Sequence, residues 1–196
     1  MTILDYPSDG QSPGKKNVFV DLIFVGLLVV LTIIRDVTSN MAIDDLILIT
    51  GTIPMIWYLF GYWWTNKPKI RSARNISLTV MYGITLSILS ATLVFHVLFL
   101  NGASELTFIA LFSGVTVTAL DLIISAFSRT RTINTQTFLR LFIYSILVIG
   151  ISVIPENTRV HFTYRKYPAF LEMYEAKRST VPFVYIVDEY EKTHGF

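Results

Sequence analysis

From Asn17 to Ile154 the chain alternates long apolar stretches with short polar interruptions, and the lengths of those stretches predict membrane-crossing helices. A helix needs about 20 mostly apolar residues to cross a hydrocarbon core of about 30 Å. Four segments meet that requirement: Asn17–Ile34, Leu46–Trp64, Ile76–Leu100 and Leu106–Phe127. The turn Asn101-Gly102-Ala103-Ser104-Glu105 joins the third to the fourth as a helix hairpin. A fifth segment, Thr137–Ile154, has an unbroken apolar core only from Leu141 to Ile154, with Arg140 one turn inside its start. It either crosses, with Arg140 snorkelling to the headgroups, or lies re-entrant or interfacial.

After Ile154 the pattern changes. Residues 155–196 mix charges with many aromatic side chains, too many for a solvated disordered tail. Thr158–Tyr164 reads as a strand, Pro168–Arg178 as a helix with proline in its first turn, and Val181–Tyr190 as a second strand. So short a segment buries too little surface to stand alone. It is expected to pack against the membrane domain or, preferentially, against a sister subunit or partner protein. The predicted fold is an all-α polytopic membrane protein: a bundle of four transmembrane helices, a fifth helix that spans or lies at the interface, and a small α+β tail. Residues 1–16 form a flexible leader, 17–154 the helical domain and 155–196 the extramembranous tail.

Composition sharpens this picture. Of the 196 residues 53% are hydrophobic and 15% charged, where a soluble domain carries about 25% charge. The net charge of +2 is too small to suggest a nucleic-acid partner, and the absence of cysteine excludes disulfides and thiolate chemistry. Orientation follows from basic residues in short loops. Lys15, Lys16, Lys67, Lys69, Arg71, Arg74, Arg129 and Arg131 fall on one side, which is therefore cytoplasmic, and Arg35 falls on the other. A crossing fifth segment adds Arg159, Arg165 and Lys166 to the outside. A non-crossing one keeps them inside, so the charge rule favours a cytoplasmic carboxyl terminus. An uncleaved signal anchor in a bacterial inner membrane fits these features.

Polar groups inside the spans are the candidates for chemistry, because each costs free energy to bury. Gly114, Thr118, Asp121 and Ser125 share one helical face, and Asp21 and Arg140 lie at a similar depth. Asp21, Asp121 and Arg140 form the candidate intramembrane cluster, either a structural ion pair or a cation or proton site. Thr79, Gly83, Ser87 and Ala91, together with Gly114 and Thr118, supply small-residue surfaces for helix packing, within the chain or between subunits. Trp57, Tyr58, Tyr62, Trp63 and Trp64 end the second span as an interfacial aromatic belt. Gly51-Thr52-Ile53-Pro54 predicts a kink in that span. His96 is expected at the outer interface, far from Asp121.

The sequence carries no phosphate loop, nucleophile elbow or H-E-x-x-H motif, and His96, His161 and His194 are too scattered for a metal site. No cofactor and no catalytic or metal residues are expected. In layout the chain is similar to membrane subunits of bacterial anti-phage systems such as Kiwa, a likeness that implies a place in a defence-type complex. The expectation is a non-enzymatic, homo-oligomeric membrane subunit that uses its tail to dock a cytosolic partner or to signal. The alternative is a small oligomeric channel or transporter with Asp121 lining the path.

Overall fold

The computed structural model describes residues 14–38, 40, 43–62, 73–128 and 135–194, and they are mostly helical, with no strand among them. Five long helices come first: α1 (Gly14–Thr38), α2 (Ile43–Ile56, continued by a π turn over Trp57–Gly61), α3 (Ala73–Val97), α4 (Ala103–Ser128) and α5 (Thr135–Val153). Three short ones follow: α6 (Glu156–Thr163), α7 (Pro168–Lys177) and α8 (Phe183–His194). Three segments, Ile43–Gly61, Ile76–Val97 and Ala103–Phe127, are long and apolar enough to cross a membrane. A fourth qualifies if α5 and α6, bent by 85° at their junction, are one broken span. Most of the leader, Trp63, Trp64, the Lys67–Arg71 stretch, Arg129, Arg131 and the side chain of Asp21 lie outside the described residues; Gly14, Lys15 and Lys16 already belong to α1.

The bundle is built around α3. Its Thr85, Leu86, Leu89 and Thr92 are at most 1% exposed, packed by α2, α4 and α5. The small-residue stripe expected on α3 faces inward, against α2. A Cβ added to Gly83 would stand 2.7 Å from the Tyr58 carbonyl oxygen. Ser87 donates to the Met55 carbonyl at 3.0 Å and Ser90 to the Gly51 carbonyl at 3.3 Å. Both acceptors lie beside irregular parts of α2, Gly51 three residues before Pro54 and Met55 two before the π turn. In an apolar surrounding the serines of the neighbouring helix give these carbonyls a further donor. The stripe is thus consumed within the chain.

The aromatic belt is corrected in the same region. Trp57 is exposed, as an interfacial anchor should be, but Tyr58 and Tyr62 are 1% and 3% exposed. The π turn shifts the helical phase and carries both tyrosines into the core, where Tyr58 meets Tyr144 of α5 edge to face at 5.8 Å.

The α5 helix runs the length of the bundle. Thr137 in its first turn shares a hydrogen bond with Tyr62 at the carboxyl end of α2, and Ile151 near its other end borders Thr32 and Val97, near the carboxyl ends of α1 and α3. Residues 155–194 therefore emerge at the Arg35–Phe99 end, opposite Tyr62. There they form a helical cap, not the α+β tail expected. The residues Thr158, Val160, Phe162 and Tyr164 alternate as a strand would, but the buried ones are Val160, Thr163 and Tyr164, a helical spacing. Likewise Phe183, Ile186 and Tyr190 line one face of α8. Pro155 and Pro182 stand at or just before the first turns, where proline starts a helix, and packing overrides β propensity.

Nor does the cap need a sister subunit to close its core. Val160, Tyr164, Phe170, Tyr174, Phe183, Ile186 and Tyr190 form one buried cluster with Phe99, a residue of the bundle. Phe99 meets Phe183 at 5.1 Å and Tyr164 at 6.4 Å between ring centroids. The tail docks on the end of its own helical bundle.

Candidate functional site

Two polar constellations stand out, one at each end of the bundle. The first contains part of the expected cluster. Asp121, 2% exposed, accepts a hydrogen bond from the Tyr82 hydroxyl at 2.8 Å, joining α4 to α3. Arg140, 7% exposed, lies with its guanidinium 5.8 Å from the centre of the Tyr62 ring, joining α5 to α2. Gly114 and Thr118, on the Asp121 face of α4, line a crevice against α5, and the Thr118 hydroxyl donates to the Gly114 carbonyl. Of the expected packing residues, Thr79 and Ala91 are partly buried on α3. Tyr82 and Tyr62 are core polar groups that a reading of charges alone passes over.

The second constellation, at the cap, is larger, and most of it was not expected. Arg35, in the last turn of α1, is 2% exposed, and a charge so buried must be paired and hydrogen-bonded. It bonds Asp36 through Nε (3.0 Å) and Nη2 (2.9 Å), Asp44 at 3.3 Å and the Val97 carbonyl at 2.7 Å. Arg159 of α6 donates to the neighbouring His96 carbonyl. These two carbonyls belong to the last turn of α3, where helix geometry leaves four acceptors without intrahelical donors and the dipole favours cations. The end of α1 is treated alike, Arg165 donating to the Val37 carbonyl at 3.2 Å and Lys166 to the Thr38 carbonyl at 2.8 Å. Thr163 adds a bond to Asp36 at 3.0 Å.

Phe99 sits at the centre of this clasp. It follows the end of α3 with φ of +54°, the left-handed conformation that usually falls to glycine after a helix. Leu100 closes the turn by donating to the Phe95 carbonyl at 2.9 Å. The strain of a phenylalanine there, about 1–2 kcal/mol, is offset by what its ring does. The guanidinium of Arg35 lies 5.5 Å and that of Arg159 5.2 Å from the ring centre, each worth about 0.5–2 kcal/mol. One side chain thus ties together α1, α3, the cap core and the first cap helix.

His96 faces the same region. It is 5% exposed, and its Nε2 lies 2.7 Å from the Thr107 hydroxyl. Because that hydroxyl already donates to the Ala103 carbonyl, the imidazole donates to it and Nδ1 carries the lone pair. Arg35, Asp36, His96, Phe99, Arg159 and Thr163 border a pocket of about 380 Å³. The sequence signal for this site was weak, a lone arginine near a helix end and basic residues far downstream. Comparison with protein-family models, curated proteins and solved structures finds no match to this chain, so its function has to be argued from the clasp and the polar core.

Proposed function

We propose that the chain is a non-enzymatic integral membrane subunit in which α1 to α5 each cross the bilayer, the amino terminus is cytoplasmic and the helical cap faces outward as a docking or sensing surface. The observation that carries this reading is the clasp: contacts from Arg159, Thr163, Arg165 and Lys166 hold the cap on the end of the bundle opposite Tyr62. Given an inward amino terminus, that end is outward. A partner would then be met on the outer face of a bacterial inner membrane, not in the cytosol. The channel reading draws less support, because the Asp121 carboxylate is buried and bonded to Tyr82.

Reporters active only in the periplasm or only in the cytoplasm, fused after Phe196, test the arrangement in a bacterial host. Periplasmic activity is expected. Cytoplasmic activity would refute the outward cap and return the docking surface to the cytosol.

A further inference from the structure

We propose that the clasp pocket and the crevice beneath it together bind one anionic glycerophospholipid with a free hydroxyl in its headgroup, the phosphate at Arg159, the hydroxyl at His96 and an acyl chain lying along α1. The proposal rests on the membrane embedding put forward above, though not on which side the cap faces.

Three observations lead to it. The first is continuity: a crevice of about 410 Å³ between α1, α2, α3 and α5 shares Thr32, Val97, Ile151 and Ile154 with the pocket of about 380 Å³ at the clasp. The crevice is lined almost wholly by apolar side chains and reaches from Ile33 down to Phe24, about 14 Å at 1.5 Å per residue. Val29, Ile33 and Ile146 on it are exposed, so it opens to the surrounding lipid. An acyl chain fits that shape and surface, and a soluble polar molecule does not.

The second is charge. At the upper end, Arg35 already holds two carboxylates, Asp36 and Asp44. Arg159 has none within ion-pair distance among the described residues, Glu156 and Asp36 acting on it only from farther away, so of the two arginines that border the pocket it is the one left to take an anionic oxygen directly. One phosphodiester anion complements it, in a charge-assisted hydrogen bond stronger than a neutral one.

The third is unmet hydrogen bonding. Arg159 Nε, a donor, and His96 Nδ1, an acceptor, are both buried without a partner among the described residues. Both residues border the pocket, and His96 is 5% exposed. Buried polar atoms in native structures are rarely left so. A ligand with an anionic oxygen beside a hydroxyl satisfies both at once. Phosphatidylglycerol has that headgroup, whereas phosphatidylmethanol has the charge without the hydroxyl and phosphatidylcholine has no net charge.

The test uses the full chain reconstituted into vesicles of equal parts phosphatidylglycerol and phosphatidylcholine, then extracted mildly and examined by native mass spectrometry for retained lipid. Wild type is expected to hold one phosphatidylglycerol about tenfold or more in preference to phosphatidylcholine, the scale of one hydrogen bond to a charged group. Arg159→Gln removes that preference. His96→Phe keeps a preference for anionic lipid but no longer favours phosphatidylglycerol over phosphatidylmethanol. Because Arg159→Gln also loosens the clasp, Gly150→Leu serves as a second variant. Gly150 borders the crevice with no atom within 4 Å of an added Cβ, so leucine there fills the chain site without clash and lowers retention of phosphatidylglycerol. Equal retention of the two lipids by wild type, or a preference that neither Arg159→Gln nor Gly150→Leu changes, would overturn the proposal. So would displacement of the lipid by millimolar glycerol 3-phosphate, which would make the site one for a soluble headgroup alone. A chain that fails to float with the vesicles would instead overturn the membrane reading beneath it.

Discussion

Replacing Gly83 by alanine puts the α2–α3 contact to a quantitative test. The added methyl would lie 2.7 Å from the Tyr58 carbonyl oxygen, whereas ordinary contact begins at 3.4 Å. The obstacle is backbone, so no rotamer change relieves it, and α3 must retreat by about 0.7 Å at that level. Overpacking of this kind costs about 1–3 kcal/mol. The same retreat stretches the bonds from Ser87 to Met55 and from Ser90 to Gly51, at 3.0 and 3.3 Å, beyond useful length. Bonds between transmembrane helices average about 0.6 kcal/mol each. Relative to an alanine that meets nothing and carries the same gain in helix propensity, the sum is about 2–4 kcal/mol, a shift of about 30-fold to several hundred-fold in the unfolding equilibrium. Reversible unfolding in mixed micelles, followed by far-UV circular dichroism, measures it. Gly26→Ala is the control: no atom lies within 4 Å of its added Cβ, so that variant should be neutral or gain up to about 1 kcal/mol of helix propensity. If Gly83→Ala and Gly26→Ala unfold alike, α2 and α3 do not approach as described, and the inward role of the small-residue stripe falls with that contact.

Asp121→Ala strands the Tyr82 hydroxyl in a buried place and should destabilise by about 1–3 kcal/mol in the same assay. Asp121→Asn, which still offers an acceptor, should cost less, and neither should alter ion flux through reconstituted vesicles; flux abolished by Asp121→Asn with assembly preserved would instead establish the channel. Phe99→Leu keeps apolar bulk but removes the platform for Arg35 and Arg159, and should weaken cap docking by about 1–3 kcal/mol, seen as faster protease cleavage within residues 155–194 at unchanged bundle stability. Glu175 is held below its ordinary value of 4.5 by the hydrogen bond from His161; burial opposes that lowering, and the nearby Arg178 and His161 charges add to it. A carboxyl lowered in the folded state stabilises above its unfolded value and loses that contribution as pH falls through the lowered one. Protease resistance of the cap should therefore decline below about pH 4.5 in wild type and do so less in Glu175→Gln; equal acid sensitivity would show that the pair contributes nothing.

Much of the bundle was legible because a long apolar helix is written in length and hydropathy, and the Asn101 turn marks a hairpin by composition alone. Other features depend on events that leave little local trace. A π turn of five residues decides whether Tyr58 and Tyr62 face lipid or core, and nothing in an aromatic run announces it. The segment from Thr158 to Tyr164 satisfies a period of two on paper, yet the partner surface around Phe99 selects a period near 3.6. The clasp was least visible of all. Arg35 and Arg159 converge on the Phe99 ring from positions remote in sequence, and the feature that unites them, the exposed carbonyls ending α3, is backbone. The Asp121 carboxylate was easier to find: on a face of small residues in an apolar helix it was expected to point inward, and it is buried.

The closure of the cap core by Phe99 also sets an order of assembly. Residues 160–190 hold most of that core, with Phe170 at its middle, but the ring it docks on, Phe99, is made much earlier in synthesis, when α3 ends and turns into α4. Until α5 delivers the chain to that end of the bundle, the cap has no nucleus on which to condense, and its tyrosines and phenylalanines stay wet and open to proteolysis. A finished cap is consequently a sign that α5 has carried residues 155–194 to the Phe99 end, and a chain in which it has not leaves their aromatic side chains uncovered.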